Sequence, residues 1–280
     1  MTRTPGTHPV ESRYARTWLL VPATRPDRFD TSLNSRADQI VLDIEDAVDP
    51  SRKPSARADV ISWLRGGGEA WVRINDRGTT HWQDDVDELK DVPGLTGVML
   101  AKTESAEHVE DTYAALGGTT PVLALVESAL GIEDARHIAT ARGCFRLAFG
   151  SGDYRRDTGA GAEDLAMAYP RSRLVTASRI GNLPGPIDGP TVAGGHGALR
   201  EQSHMAVSLG MTGKLSLDID HSPVINEVMS PTQTDATWAR DILRAFDENG
   251  GVVRDGSDLP RIGRARRIQT LAQAFGVAPL

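Results

Sequence analysis

The chain has 280 residues, of which 39% are hydrophobic and 25% are charged, a composition that suits a globular protein with a core of its own. Its net charge is −7 and its basic residues are scattered, which argues against a nucleic-acid-binding surface but allows a local anion site. No apolar segment reaches membrane-spanning length. From the charge we therefore expect no nucleic-acid partner, and from the lack of such a segment no membrane partner.

Two further features bear on cellular location. Cys144 is the only cysteine, so no intrachain disulfide can form, as is usual in the reducing cytoplasm. Because its neighbours Phe145 and Leu147 are apolar, we interpret it as an inert core thiol, with a nucleophile as the alternative. Residues 1–16 lack the apolar stretch of a secretory signal peptide, and we expect a flexible lead-in of a cytoplasmic protein.

Short apolar runs alternate with helical patterns along the next 200 residues or so. The runs predict eight strands, the last two of them weak, at residues 19–22, 39–45, 70–75, 97–102, 122–127, 147–153, 186–188 and 214–220. The helical patterns between them cover residues 27–37, 51–64, 80–90, 105–116, 132–141, 161–180 and 198–209. Eight such units predict a (β/α)₈ TIM barrel over residues 17–232, with a doubly wound open sheet as the alternative.

The remaining residues predict a C-terminal helical extension over residues 233–280. Its two helical patterns, at residues 234–247 and 261–275, are joined by a glycine-rich segment. An extension of this kind on a closed barrel often covers the mouth or packs on a neighbouring subunit.

Polar residues end almost every predicted strand. The clearest case is the run from Val122, where five apolar residues lead directly into Glu127, as in a strand buried on both faces. The others are Asp43, Glu45 and Asp46, Arg73 and Asn75, Lys102, Asp153, Asp188, and Lys214 and Asp218. Because the carboxyl ends of parallel barrel strands face one side, these side chains should converge on one mouth.

So many carboxylates around one cavity would repel one another unless a cation neutralises them. Oxygen ligands without clustered His or Cys favour Mg²⁺ over zinc. Mg²⁺ usually takes one or two protein carboxylates, and Glu127 and Asp153, at the ends of adjacent predicted strands, are our first choice for that pair.

Arg73 interrupts the apolar run WVRI. A guanidinium inside a barrel strand needs an anion, because an unpaired buried charge is costly. Its planar fork suits a carboxylate held side by side, which predicts substrate binding. A structural salt bridge to Glu45 or Asp46 is the alternative.

Several segments occur in the order and at the spacing of one known family. They are LLVPATRPDRF, ADQIVLDIEDAV, WVRIN, VMLAKTES, ALVESALGI, LAFGSGDYRRDTG, PIDGP, LGMTGK and INEVMSP. On these segments the chain resembles the HpcH/HpaI aldolase and citrate lyase β-subunit family, and within it the CitE-like CoA-ester lyases. The resemblance implies a (β/α)₈ barrel assembled as a homotrimer or homohexamer.

The resemblance also implies roles for the residues at the strand ends. Glu127 and Asp153 would be the Mg²⁺ ligands, and Arg73 would hold the carboxylate or keto oxygen of the substrate. Glu45 and Asp46 would hydrogen-bond water on the metal.

The same resemblance implies a coenzyme A site at the barrel rim. Arg25 and Arg28, after the first strand, fall where relatives contact CoA phosphates, with a solvated helix N-terminus as the alternative. We also assign Lys102 to substrate or CoA binding.

The chain departs from the family pattern in three places. Where relatives read GKxxIHPxQ, this chain reads GKLSLDIDHSP, with Asp218 in place of the His and His221 in place of the Gln. Ala101 replaces a proline. The lid motif GxMIDxP is shortened to GSDLP, which leaves Asp258 as the counterpart of the catalytic Asp.

These implications predict a reversible, Mg²⁺-dependent carbon–carbon cleavage of a 3-hydroxyacyl-CoA into acetyl-CoA or propionyl-CoA and a 2-keto acid. Malyl-, citramalyl- and citryl-CoA are all compatible substrates, and Asp258 would protonate the enolate on the thioester side. The alternatives are a CoA-independent aldolase of free 2-keto acids, a citrate lyase β-subunit that works on an acyl-carrier partner, and a non-catalytic binding barrel.

Overall fold

The computed structural model describes residues 10–280, and its largest feature is a closed barrel of eight parallel strands. The strands follow one another around the barrel in chain order, and the last pairs with the first, with Trp18 opposite Leu215. They are β1 (Thr17–Pro22), β2 (Gln39–Asp43), β3 (Ala70–Ile74), β4 (Leu95–Leu100), β5 (Val122–Val126), β6 (Cys144–Phe149), β7 (Ile187–Asp188) and β8 (Gly213–Ser216). The predicted (β/α)₈ barrel is therefore confirmed, and the open sheet is excluded.

Helices follow the strands around the outside of the barrel. They are α1 (Phe29–Leu33), α2 (Lys53–Arg65), α3 (Thr80–Leu89), α4 (Ala106–Ala115), α5 (Ala129–Thr140), α6 (Ser151–Thr158), α7 (Asp164–Ile180), α8 (Gly195–Leu209) and α9 (Ser222–Val228). Thr79, Ser105 and Ser128 cap three of them by accepting a hydrogen bond from a backbone N–H of the first turn. These caps fix the joints between strand ends and helix starts, where the barrel mouth lies.

Two of these helices differ from the sequence prediction. The run LAFGSGD predicts a strand as far as Asp153, but β6 ends at Phe149 and α6 begins at Ser151. Gly150, with φ −85° and ψ 75°, ends the strand and starts the helix, a turn that the apolar pattern before it does not reveal. The short helix α9 was not predicted.

Alternate residues of the strands point inward and fill the barrel. The interior cluster contains Trp18, Leu20, Val41, Trp71, Met99, Leu123, Leu125, Ala148, Ile187 and Leu215. Trp18 and Trp71 pack edge to face, with their ring centres 5.2 Å apart. The same alternation places Asp43, Arg73 and Glu127 on the inner side, one step beyond this cluster towards the carboxyl ends of the strands.

The amino end of the barrel is closed by Arg146, which is fully buried. Its guanidinium donates to the carbonyls of Gly185 (2.7 Å) and Ala15 (2.9 Å) and to the hydroxyl of Thr212 (2.9 Å). Since all these acceptors are neutral, burial lowers the pKa of Arg146 to about 9. The buried guanidinium at this end of the barrel therefore finds its hydrogen-bond acceptors within the chain.

The N-terminal lead-in expected over residues 1–16 falls partly outside the described residues, which begin at residue 10. The described part makes contacts with the rest of the chain. Arg16 forms two side-chain hydrogen bonds with Asp38, each 2.8 Å long, and the carbonyl of Ser12 accepts a hydrogen bond from Arg146. The flexible lead-in stays a prediction.

The chain divides into two compact units, one ending at Val228 and one from Met229 to Leu280. The second unit contains α10 (Gln233–Glu248) and α11 (Asp258–Phe275), the helical extension that the sequence predicts. Thr232 and Asp235 form a capping box at the start of α10. The domain limits 17–232 and 233–280 stay a prediction. None of the helices in the described part of the chain is long and apolar enough to cross a membrane.

Candidate functional site

The carboxyl end of the barrel holds a cluster of charged side chains, and Arg73 of β3 is at its centre. Its Nε and Nη2 donate to the two oxygens of Asp43, at 2.8 Å and 2.6 Å. Its Nη1 lies 3.4 Å from Glu45 Oε2. The alternative of a structural salt bridge is therefore real, but its main partner is Asp43, the residue opposite Arg73 in the strand register.

Arg73 is held in its charged form. Burial works against its charge, but the carboxylates of Asp43, Glu45 and Glu127 outweigh burial and raise the pKa of Arg73 above its ordinary value. The bidentate contact with Asp43 also fixes the orientation of the guanidinium plane. Nη1 is left outside that contact and lies 3.4 Å from Glu45 Oε2.

Glu45 and Asp46 meet Lys102 on the next side of the mouth. The ammonium of Lys102 hydrogen-bonds Glu45 Oε1 and lies 3.2 Å from Asp46 Oδ1. Burial raises the pKa of Glu45, and the charges of Arg73 and Lys102 offset that effect only in part. Lys102 itself is charged, since its contacts with Glu45 and Asp46 outweigh burial and raise its pKa. A charged, paired amine is a poor nucleophile, which argues against Schiff-base chemistry at Lys102.

Glu127 follows β5 and is 4% exposed. Its Oε1 accepts a hydrogen bond of 2.8 Å from the backbone N–H of Lys102, a residue whose φ of 47° lies in the left-handed region. Such a conformation is costly for a side-chain-bearing residue and is typical of functional sites. Burial raises the pKa of Glu127 to about 8, and the negative charge of Asp153 adds to this effect.

The loop after β6 is shaped around the second oxygen of Glu127. A Cβ atom at Gly150 would lie 2.2 Å from Glu127 Oε2, so only glycine leaves room for the carboxylate there. The N–H of Gly150 donates to the carbonyl of Val126 at 3.0 Å, which keeps the two strand ends together. None of the described residues donates a hydrogen bond to Oε2.

Asp153 does not end a strand, as the sequence predicted, but lies in the first turn of α6. Its carboxylate is 23% exposed and lies 3.1 Å from Arg156 Nη2. It is nevertheless close enough to Glu127 for its charge to raise the pKa of that residue. The two carboxylates that the sequence selected thus follow adjacent strands, Glu127 after β5 and Asp153 in the first turn of α6.

The donor set of this carboxylate pair fits Mg²⁺. Glu127 and Asp153 offer only oxygen atoms, and Glu127 Oε2 has no other described partner. No group of three or more His, Cys, Asp or Glu side chains within residues 10–280 is arranged to hold a metal. Zinc usually takes three or four protein ligands, whereas Mg²⁺ binds through one or two carboxylates and leaves its other positions to water and substrate.

The other predicted site residues lie further out or carry other contacts. Arg25 and Arg28 are exposed in the loop after β1, and Arg25 pairs with Asp27 at 2.7 Å. Asp218 caps a turn by accepting from the N–H of Asp220 at 3.0 Å. In the second unit, Asp258 starts α11 and accepts hydrogen bonds from Arg254, from the backbone N–H (2.8 Å) and from Nε (3.4 Å).

His221 lies after β8, and its ring centre is 6.1 Å from that of His196. Its Nδ1 is buried and has no hydrogen-bond partner among the described residues. In the sequence, His221 stands out only as a departure from a family motif, and no role follows from that.

Two members of the cluster were missed as site residues. Asp43 was named only as a polar strand end, although its register opposite Arg73 follows from the two strand ends. Lys53 of α2 contacts the loop after β2 through its ammonium, and nothing in the helical pattern of its segment signals that contact.

Comparison with known proteins adds to this geometry. The model of the family described as HpcH/HpaI aldolase/citrate lyase matches residues 16–218. The model of the HpcH/HpaI aldolase C-terminal domain matches residues 234–276. The chain belongs to the HpcH/HpaI aldolase/citrate lyase family. The resemblance in the sequence segments is confirmed at this level.

Relatives within the HpcH/HpaI family have names that refer to CoA-ester and citrate chemistry. Citrate lyase subunit beta of Leuconostoc mesenteroides subsp. cremoris is 27% identical over 94% of this chain and 94% of its own length. L-malyl-CoA/beta-methylmalyl-CoA lyase of Cereibacter sphaeroides is 31% identical over 84% of this chain and 85% of its own length.

Several solved structures similar to this chain contain magnesium. One is the protein CitE from Mycobacterium tuberculosis in complex with magnesium, acetoacetate and coenzyme A, with a TM-score of 0.76 and 27% identity over 92% of this chain and 99% of its own. Another is the citrate lyase beta subunit of M. tuberculosis complexed with oxaloacetate and magnesium, with a TM-score of 0.69 and 29% identity over 78% of this chain and 99% of its own.

Proposed function

We propose that this member of the HpcH/HpaI family is a Mg²⁺-dependent lyase that cleaves or forms a 3-hydroxyacyl-CoA, with acetyl-CoA and a 2-keto acid as the other side of the reaction. The observation that supports it most directly is the pair Glu127 and Asp153 beside the fixed guanidinium of Arg73. The magnesium, keto acid and coenzyme A found in solved relatives support the same assignment.

Glu127 and Asp153 would hold the Mg²⁺ ion, which supplies Lewis-acid polarisation of the substrate oxygen when bound. Asp43 orients Arg73 through two hydrogen bonds, so that Nη1 is directed at the carboxylate or keto oxygen of the 2-keto acid. Since Arg73 stays charged, it stabilises negative charge that develops on that oxygen.

The reaction also needs proton transfer. Cleavage removes the proton of the 3-hydroxyl group, breaks the adjacent carbon–carbon bond and leaves an enolate on the thioester that must be protonated at carbon. Glu45 is suited to hold the hydroxyl proton, because burial raises its pKa and its carboxylate lies beside Arg73. Asp258, by family resemblance, would protonate the enolate.

Coenzyme A would lie along the rim of the barrel. Lys102 is charged and one third exposed there, and Arg25 and Arg28 are exposed in the loop after β1.

We further propose that the protein acts in the cytoplasm as a homotrimer or homohexamer. Light scattering of the purified chain would test the oligomeric state.

The test is cleavage of malyl-, citramalyl- and citryl-CoA, followed by release of the 2-keto acid. We expect turnover of at least one ester, lost with EDTA and restored by Mg²⁺. The absence of turnover for all three, with the keto acid and Mg²⁺ still bound in calorimetry, would contradict the CoA-ester assignment while leaving the metal site in place.

A second candidate follows from the full-length match to citrate lyase subunit beta. In that case the chain would act on an acyl group carried by a partner protein instead of on free CoA esters. Turnover of a soluble CoA ester by the isolated chain decides against this candidate. Metal-dependent turnover of free 2-keto acids alone would instead favour the CoA-independent aldolase.

A further inference from the structure

A chain of buried polar side chains lies behind the loop that carries Glu45. Its first member is Lys53 of α2, which is 6% exposed. The Lys53 ammonium donates to the carbonyls of Ile44 (3.1 Å) and Glu45 (2.7 Å) and to Asn75 Oδ1 (2.6 Å). All three ammonium donors are thus matched by acceptors, and two of them are backbone carbonyls of one loop.

The chain continues away from the mouth. Asp85 of α3 accepts from both the backbone and the side-chain nitrogen of Asn75, at 3.0 Å and 2.7 Å. Arg57 of α2 donates to Asp85 at 2.8 Å. Lys53, Arg57, Asn75 and Asp85 are all buried. A buried polar network of this kind is costly unless its members are paired, and once paired it holds its neighbours in one geometry.

The loop after β2 has two sides, and the network fixes only one of them. On one side the carbonyls of Ile44 and Glu45 face Lys53. On the other side the carboxylate of Glu45 faces Arg73 and Lys102. Glu45 Oε2 also accepts from the N–H of Asp46 (2.7 Å), and its carbonyl accepts from the N–H of Val48 (3.1 Å). The position of the Glu45 carboxylate therefore depends on a backbone that Lys53 holds.

We propose that Lys53 is a positioning residue: by holding the carbonyls of Ile44 and Glu45, it fixes the Glu45 carboxylate between Arg73 and Lys102. Lys53 does not touch the substrate. It acts through the main chain of Glu45, and its effect on turnover rests on the proposed lyase function. Asn75 and Asp85 in turn hold Lys53.

The first variant is Lys53→Met, which keeps the length of the side chain and removes its donors. We expect amide hydrogen exchange at Asp46 and Val48 to become at least about tenfold faster, because their acceptors belong to a loop that is no longer held. The amide of Gly150, which donates to the carbonyl of Val126 between the ends of β5 and β6, should keep its exchange rate. This readout needs no activity.

The same variant should lower kcat by about 10- to 100-fold, the usual cost of removing a residue that orients a catalytic group. The KM for the CoA ester should change by less than about threefold, because Glu45 acts on the reacting atoms and not on the coenzyme.

The matched control is Arg146→Met, which also removes a buried cation bound to backbone carbonyls, but at the amino end of the barrel. It should lose stability and keep both kcat and the exchange rates at Asp46 and Val48.

If Lys53→Met does not fold, a second variant, Asn75→Leu, removes the side-chain acceptor of Lys53, and we expect the same exchange pattern from it. In the double variant Lys53→Met, Asn75→Leu the two losses of kcat should not add, because both substitutions remove the contact between Lys53 and Asn75.

Unchanged exchange at Asp46 and Val48 in folded Lys53→Met would overturn the proposal, whatever the activity. Wild-type kcat in the same variant, or an equal loss of kcat in Arg146→Met, would remove its catalytic part. Faster exchange in a protein that cleaves no CoA ester would support the positioning role and contradict the proposed lyase function instead.

Discussion

Each end of the barrel holds an arginine, and the environments of the two arginines are opposite. At the amino end, Arg146 is surrounded by carbonyls and a hydroxyl, and burial lowers its pKa to about 9. At the carboxyl end, Arg73 faces Asp43, Glu45 and Glu127, which raise its pKa despite burial. At the amino end a buried cation is thus held by neutral acceptors. The carboxyl end instead brings charged groups together and leaves Glu127 Oε2 without a hydrogen bond from the described residues. A ligand at this end would therefore find an unused acceptor.

The largest expected effect comes from Glu127→Gln, which keeps the shape of the side chain and removes its charge. We expect kcat/KM to fall by about 1000-fold or more, as for the loss of a main electrostatic contact, together with loss of Mg²⁺ binding in calorimetry. Glu107→Gln, in the exposed first turn of α4, is the control. Full activity of Glu127→Gln would remove the metal assignment.

Arg73→Lys tests the charged end directly. Lysine keeps the charge but cannot make the two-pronged contact with Asp43, so we expect kcat/KM to fall by about 100-fold with the fold intact. Asp43→Asn should have a similar effect, because it weakens the same contact. Steady-state kinetics and circular dichroism of both variants measure this. Unaltered kinetics in Asp43→Asn would show that the pair does not orient Arg73.

Gly150→Ala tests the space around Glu127. The added Cβ would lie 2.2 Å from Oε2, so the carboxylate must move, and we expect Mg²⁺ affinity to fall by about tenfold. Gly152→Ala is the matched control, because nothing lies within 4 Å of a Cβ at that position in the same helix start. Equal Mg²⁺ affinity in the two variants would contradict the expected role of this gap.

The raised pKa of Glu127 predicts a pH-dependent stability without metal. Its pKa is about 8 in the folded chain against an ordinary 4.5, so the folded state binds the proton more tightly than the unfolded state. The resulting stabilisation is complete below pH 4.5 and is lost as the pH rises through 8. Urea unfolding in EDTA should show this loss, Mg²⁺ at pH 8 should reverse it, and Glu127→Gln should abolish it. A flat profile for the wild type would contradict the prediction.

The smallest effect on activity is expected for Arg146→Met. It leaves carbonyls at the amino end without their donor, and we expect a loss of about 2 kcal/mol in the free energy of unfolding. The kcat of the folded variant should change by less than about twofold. A large loss of kcat would mean that the two ends of the barrel are coupled.

The barrel could be predicted from the sequence because its signal is local. Five apolar residues before Glu127 define a buried strand, and eight repeats of this pattern define the closed sheet. The site was predicted less completely. Arg73 in WVRI and Arg146 in CFRLAF interrupt apolar strands in the same way, and only their distance from the strand end separates a mouth residue from an amino-end residue. Asp153 was placed on a strand because a glycine turn has no apolar period.

Contacts that helices make with the barrel loops could not be predicted from the sequence. Lys53 reaches the loop after β2 from α2, and Asn75 reaches Asp85 on α3. These contacts depend on how helices lie on the barrel, which periodicity does not encode. The salt bridge expected between Arg73 and Glu45 is present at 3.4 Å, but strand register makes Asp43 the closer partner, at 2.6 Å.

Lys102 contributes to the mouth twice, once through its side chain to Glu45 and once through its backbone N–H to Glu127. Alanine scanning would therefore measure only half of its contribution, because every amino acid except proline carries the same N–H. To see the other half, the peptide bond before residue 102 must be replaced by an ester, through incorporation of an α-hydroxy acid. At this position one contact depends on which amino acid is encoded, and the other depends only on the peptide backbone.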